Sequence, residues 1–467
     1  MLREERGQVL LALMLSVGLI AIDATILATV VPSIVDDLGG FTRFPWLFSV
    51  YLLTQAVSVP IYSKLSDQYG RKPIMLVGIG LFLLGSVLCG AAWSMPVLIA
   101  FRAVQGLGAG AIGPTAMTII GDLYTLQERG RTQGYIGSVW AIASVVGPTL
   151  GGVFAEYLHW RWVFFVNVPL CLGAALMLVR RFDERVQRRD HRLDYSGAAL
   201  LMAGCTLLIL GLLEGGQGWA WRSWTSVAVL GGGAALLVVF ALVERRAAEP
   251  VLPGWVFRRR VLSSTTAVNF ALGAALFGLT SYVPIFAQGV LGEGPLVAGF
   301  ALATMTIGWP LTSAVSARLY LRIGFRATGL IGGIIAVVGC VLVALVGPGA
   351  PVVALAGASF VVGAGLGLVA APMLIAAQTT VGWAERGVVT GTSLFSRSIG
   401  SAVGVAVFGA IANASLGDGE RTPSTLDAAT GNVFVAVVVV AVLMVAAITT
   451  VPGTIREHVE PEPVPTR

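Results

Sequence analysis

Three ionisable side chains stand where hydrocarbon is expected. Asp23, Arg102 and Arg397 each interrupt a long apolar run, and Asp23 sits in the middle of residues 9–31. An ionisable group at the bilayer centre costs a few kcal/mol or more, so such residues face a bundle interior or a water-filled cavity and mark ion pathways. A carboxylate in that position can bind and release a proton. At about 1.5 Å per residue, Asp23 lies roughly 20 Å up from the inner end of the first apolar segment and Arg102 roughly 9 Å down from the outer end of the fourth. Across a hydrocarbon core of about 30 Å those depths nearly coincide. Cofactor or metal chemistry has no comparable signal: no metal-ligand spacing and no phosphate-binding G-x-x-x-x-G-K-[ST] loop is present, which argues against direct use of ATP.

The elements that must hold these groups are membrane helices. Hydrophobic residues make up 56% of the chain and charged residues 12%, against roughly 25% charged in a soluble domain. Spanning the core takes about 20 apolar residues. Candidate spans centre near Ile20, Ala56, Phe82, Gly108, Ala143, Leu170, Thr206, Ala234, Gly273, Ile307, Ile335, Gly363, Gly400 and Val439. If every span crosses and the N-terminus is cytoplasmic, only Arg43, Arg161, Arg222 and Arg421 of the 30 Lys and Arg fall outside, as the positive-inside rule requires. Both termini are therefore placed in the cytoplasm. The net charge of +6 reports topology and not nucleic acid. Trp46, Trp93, Trp160, Trp162, Trp219, Trp221 and Trp224 fall at outer ends, where an aromatic belt belongs. The first segment is too long, and too interrupted by its acid, for a cleaved signal, and is expected to stay. Cys89, Cys171, Cys205 and Cys340 each lie within a span and read as packing residues.

An internal repeat organises the spans. SKLSDQYGRK at 63–72 aligns with ARLYLRIGFR at 317–326, pairing Gly70 with Gly324, and Gly147 and Gly151 align with Gly400 and Gly404. Gly108 and Gly110 match Gly365 and Gly367 at a similar offset. Carriers are commonly built from two such halves. The expected fold is all-α and membrane-integral, with two six-helix bundles related by a pseudo-two-fold axis and two extra linker helices, fourteen spans in all. The expected domains are a first bundle at 1–190, a linker with spans seven and eight at 191–257, a second bundle at 258–452 and a cytoplasmic tail at 453–467. The stretch 413–431 reads as the longest outer loop, polar and mobile.

Four motifs resemble the major facilitator superfamily and, within it, the fourteen-helix drug:proton antiporters, over nearly the whole chain. They are YSKLSDQYGRK after span two, FRAVQGLGAG in span four, GPTLGG at 147–152 in span five, and the stretches AIDATILATVVPSI and WRWVFFVNVP. Ser63 stands where the first pattern usually has glycine. The resemblance implies that the first and fourth spans line a central cavity. Asp23 and Arg102 are then expected to meet directly or through water and to couple proton movement to transport, although a fixed ion pair that never titrates fits the same depths.

The resemblance also implies roles for the other motif residues. Asp67, at the start of span three, suits a helix N-terminus. Gly70 permits the turn, and Arg71 and Lys72 are expected to reach the other bundle as a latch that shuts the cytoplasmic side in the outward-open state. Gly147, Gly151 and Gly152 allow close helix approach, and Pro148 favours a bend. Gln55, Gln105, Asn269, Phe277, Tyr282, Met373, Gln378 and Arg397 are candidates for the cavity wall, with ordinary helix packing the competing reading for each.

The function expected is proton-coupled, secondary active export of hydrophobic or cationic amphiphiles, with no cofactor beyond the proton gradient. Its partners are protons, a small amphiphile and membrane lipid, with no nucleic acid; the chain is expected to act as a monomer in the cytoplasmic membrane. Export of an endogenous lipid, siderophore or secreted metabolite fits equally well. An enzyme is disfavoured, because His159, His191 and His458 lie outside the hydrocarbon and no nucleophile-base spacing is seen.

Overall fold

The structure is a computed structural model that describes residues 5–124, 126–182, 184, 194–216, 218–247, 250–416 and 422–453. Its helices are α1 (Glu5–Leu38), α2 (Pro45–Tyr69), α3 (Arg71–Gly90), α4 (Met95–Leu123), α5 (Leu126–Tyr157), α6 (Trp162–Phe165), α7 (Asn167–Arg181), α8 (Tyr195–Glu214) and α9 (Trp224–Glu244). The second half holds α10 (Gly254–Arg258), α11 (Arg260–Gly289), α12 (Pro295–Ile323), α13 (Phe325–Ala344), α14 (Val352–Thr379), α15 (Trp383–Leu416) and α16 (Pro423–Thr449). Among the described residues, thirteen spans are long and apolar enough to cross a membrane, α6 and α7 forming one of them. The 25-residue α2 is the fourteenth long helix.

Two bundles repeat one pairing scheme. In the first, α1 packs on α5 and α7, and α4 is clasped between α2 and α3. In the second, α11 packs on α15 and α16, and α14 between α12 and α13. The α8–α9 hairpin lies against α2 and α15 through α8, along the seam between bundles. Gly70 and Gly324, aligned in the sequence, both end a helix at positive φ (102° and 87°), so the tight reversal into the next helix is built the same way twice.

With little hydrophobic drive between helices in lipid, close packing depends on small residues. A Cβ on Gly106 would collide with Thr54 Oγ1 and the Tyr51 carbonyl, and one on Gly363 with the Met305 carbonyl at the equivalent crossing. Gly363→Ala is therefore expected to push α12 from α14 and lower stability by about 1–3 kcal/mol, read as a fall in the thermal midpoint of purified protein. Gly231→Ala, facing open space on α9, is the control and should leave the midpoint in place or raise it.

The bundles meet at the end of the molecule remote from the start of α1. There Ser49 Oγ donates to the Ala402 carbonyl (3.2 Å), Asn413 Nδ2 donates to the Thr42 carbonyl (3.1 Å), and Phe44 stacks edge-on against Tyr282. At the opposite, terminal end the described bonds stay within one bundle, as in Tyr124 Oη to the Arg6 carbonyl and Arg260 Nε to the Thr450 carbonyl.

One sequence expectation fails at the remote end. The 413–431 stretch is not a long loop: α15 runs to Leu416, and α16 begins at Pro423 behind a capping box made by Thr422 and Thr425. Among its described residues, Asn413 is anchored across the seam and Ser415 accepts from Asn432 of α16.

Candidate functional site

Asp23 lies on the face of α1 that turns into the first bundle, and only 1% of it is exposed. The glycines of α4 bring its partners close. Gly106 and Gly110 seat α4 against α2, and Gly108 seats it against Phe82 and Gly78 of α3, so Arg102 and Gln105, three residues apart on one face, reach α1. Arg102 Nη1 donates to Asp23 Oδ2 at 2.7 Å and to Gln105 Oε1 at 2.6 Å. Gln105 Nε2 donates to Asp23 Oδ1 at 2.8 Å. Arg102 Nε donates to the Leu47 carbonyl, and its guanidinium carbon lies 4.1 Å from the centre of the Tyr51 ring.

Further polar groups complete the shell. Asn167 Nδ2, at the first position of α7, lies 3.4 Å from Asp23 Oδ1 and donates to Ser86 Oγ at 2.9 Å. Ser86 Oγ in turn donates to the Phe164 carbonyl, which the break between α6 and α7 leaves available. Six helical elements, α1, α2, α3, α4, α6 and α7, thus supply one buried network around a single ion pair. Tryptophan and arginine of the W-R-W stretch cap it on the remote side: Trp160 Nε1 and Arg161 Nη1 both donate to Asp37, and Arg161 Nη2 donates to the Ala92 carbonyl.

The predicted meeting of Asp23 and Arg102 is direct. Two related expectations need correction. Asp23 does not face a water-filled cavity in this conformation, because Arg102, Gln105 and Asn167 enclose it. Gln105, expected on the cavity wall, is fully buried in the same network. Asn167, Ser86 and Tyr51 were not anticipated; the one signal was an amide beside an acid's depth inside the WRWVFFVNVP stretch.

The cavity candidates scatter. Met373 is fully buried against Gly329, so it packs within the second bundle. Tyr282 is buried in the remote seal with Phe44, and Gln378 Nε2 donates to Thr390 Oγ1 near the terminal end. Gln55 and Phe277 are half-buried, Asn269 is buried on α11, and Arg397 is half-buried on α15. In this conformation the described contacts of the latch residues run within the first bundle. Lys72 Nζ donates to the Val179 and Phe182 carbonyls, and the backbone N–H groups of Arg71 and Lys72 donate to the Glu184 carboxylate, so these contacts tie α3 to its own bundle and not to the other. A carboxylate on the first turn of α3 is favourable there. The Asp67 side chain lies outside the described residues.

The span-five motif sits at the seam. Gly147 and Gly151 press on Thr25 and Thr29 of α1, while Pro148 and Gly152 press on Gly299 and Leu296 of α12 in the second bundle. One helix turn therefore contacts both halves.

Residues 13–405 match the family described as the Major Facilitator Superfamily. The chain belongs to it. This superfamily member is a multi-pass membrane transporter and not an enzyme. It is 34% identical over 416 residues to the multidrug transporter protein MdtP of Bacillus subtilis (strain 168), covering 89% of this chain and 77% of that one. It is 35% identical over 403 residues to multidrug resistance protein 3 of the same organism, covering 86% and 79%. The crystal structure of the nucleoside transporter NupG superposes with a TM-score of 0.65 over 96% of this chain and 99% of that one, at 13% identity, a likeness of fold alone.

Proposed function

We propose that this transporter is a proton-coupled secondary active exporter of hydrophobic amphiphiles, working by alternating access. The observation that carries the reading is the Asp23–Arg102 pair, sealed inside one bundle just beneath the remote closure. Arg102 Nε is bonded to the Leu47 carbonyl, and α2 near Leu47 forms part of that closure through Phe44 and Ser49. Parting the bundles at the remote end shifts α2, loosens Arg102, and gives a proton a route to Asp23. Protonation then replaces Arg102 as the neutralising partner. When the remote end shuts again, Arg102 returns and the proton must leave. Cargo of suitable chemistry is taken up from the opposite side in the alternate phase.

In this reading the terminal end is cytoplasmic, both termini lie inside, and the structure corresponds to the inward-facing phase. The energy source is the proton gradient across the cell membrane, without nucleotide or cofactor, and the chain acts as a monomer. The likeness to a multidrug transporter and to a multidrug resistance protein supports drug-like cargo. The first bundle, linker and second bundle take the bounds 1–190, 191–257 and 258–452, with Pro148 and Gly152 at the rocking seam. Arg71 and Lys72, with Asp67 and Gly70, change partners to the opposite bundle in the outward-facing phase. The cargo is a hydrophobic or cationic drug-like amphiphile, with an endogenous lipid, siderophore or secreted metabolite as the alternative.

Alternating access has its own test. An ideal Cβ on Gly152 would lie 3.2 Å from the Leu296 Cβ, a few tenths of an ångström under disulfide spacing, so a small separation of α5 and α12 lets the two positions be bridged. Oxidising a Gly152→Cys/Leu296→Cys pair is expected to lock the remote end and stop dye export from vesicles, with activity restored by reductant. Undiminished export by the oxidised pair would contradict the rocking mechanism. The native cysteines are all buried and free, so they do not compete.

A further inference from the structure

A protonated carboxyl differs from an ionised one by a single donor, and a buried donor needs an acceptor. The shell of Asp23 is made of donors: Arg102 Nη1 at 2.7 Å from Oδ2, with Gln105 Nε2 at 2.8 Å and Asn167 Nδ2 at 3.4 Å from Oδ1. Such a shell suits the carboxylate and offers the acid form nothing, unless an acceptor is freed when Arg102 withdraws. Asp23 is the one buried acid among the described residues, so among them no second carboxylate shares its proton.

Gln105 holds that acceptor. Its amide addresses the carboxylate with both ends: Nε2 donates to Asp23 Oδ1, while Arg102 Nη1 bonds to Gln105 Oε1 and Asp23 Oδ2 together, at 2.6 and 2.7 Å. The guanidinium nitrogen thus stands where a proton would join Oδ2 to Oε1. With Nη1 withdrawn, a short movement of the long Gln105 side chain closes an acid–amide pair, O–H to Oε1 on one side and Nε2–H to Oδ1 on the other. Neither the new O–H nor the freed Oε1 is then orphaned. The amide is well placed for this, because α4 presses so closely on α3 that a Cβ on Gly85 would meet the Gln105 backbone. Cys89 Sγ, 3.8 Å from Oε1, is a weak competing donor. Asn167 is less suited: the end of its amide that faces Asp23 is the donor Nδ2, which Ser86 also holds.

We propose that Gln105 holds the proton on Asp23, accepting the O–H of the acid form as Arg102 neutralises the ionised form. It is a positioning residue, acting on the proton through Asp23. This rests on the proton-coupled reading and adds to it the partner of the loaded state. One proton moves: it arrives from the remote-side solution on Oδ2, Arg102 leaves with its own charge unchanged, and Oε1 exchanges an N–H donor for an O–H donor. Release reverses the step when Nη1 returns to both oxygens. The titratable groups around the pair are Arg102 on α4, Tyr51 on α2, Cys89 on α3 and Cys171 on α7.

The test is infrared difference spectroscopy of the full chain in lipid nanodiscs over a series of acid steps. The parent should show a carboxylic C=O band that Asp23→Asn removes, low in its range because the group is hydrogen-bonded through both oxygens. Gln105→Met, similar in length but apolar, should move that band to higher frequency. The same variant should slow uphill dye accumulation in proteoliposomes by about tenfold, the scale of one buried hydrogen bond, with downhill exchange within about twofold of the parent. If Gln105→Met does not yield folded protein, Gln105→Asn serves, since its amide stops one methylene short and should shift the band the same way. A band that stays in place without the Gln105 amide, or that moves only when Asn167→Leu removes the other amide, overturns the proposal and leaves proton coupling standing. A parent without the band overturns both. Band and shift together with no proton-driven transport would count against the exporter reading alone.

Discussion

Arg102→Ala is expected to cost about 3–5 kcal/mol of stability, because it leaves the Asp23 carboxylate buried with amide donors but no counter-charge. The measurement is thermal unfolding of the purified protein in detergent, followed by tryptophan fluorescence. A second substitution decides the cause. Arg102→Ala combined with Asp23→Asn removes both charges, and the double variant should regain more than half of the loss, since Gln105 and Asn167 can still bond to a neutral amide at position 23. Equal instability of the single and double variants would mean that Arg102 acts through packing on Tyr51 and the Leu47 carbonyl, and not through charge.

The second large effect is on transport. Asp23→Asn should abolish accumulation of a hydrophobic dye against its gradient in proteoliposomes with an imposed pH difference, while downhill exchange of the dye persists. Its stability loss should be smaller than that of Arg102→Ala, because Arg102 keeps the Leu47 carbonyl, Gln105 Oε1 and the Tyr51 ring as partners. Uphill accumulation by Asp23→Asn would separate the ion pair from energy coupling and leave it a structural tie.

Much of this arrangement was readable in the sequence because charge in hydrocarbon is rare and depth follows from residue count. Asp23 and Arg102 come together for that reason. Gln105 was visible but misplaced: its depth matched, yet whether it turned to the cavity or into the bundle depends on how closely α4 approaches α3, where the Gly85 Cβ position would abut the Gln105 backbone. Ser86 and Asn167 carry no charge and sit on helices whose facing sides only tertiary packing decides. The partners of Lys72 in this conformation, the Val179 and Phe182 carbonyls, were not legible because they lie over a hundred residues away at a helix end. The 413–431 stretch misled through composition; the Thr422 and Thr425 pair is a helix-start signal that outweighs a polar run.

The central claim is that Asp23 exchanges a proton as the bundles move, and the direct measurement is proton release in weakly buffered detergent solution, read with a pH indicator when a neutral hydrophobic dye is added. The parent should release protons in proportion to dye bound, and Asp23→Asn should bind the dye and release none. Equal release from both proteins would contradict the account.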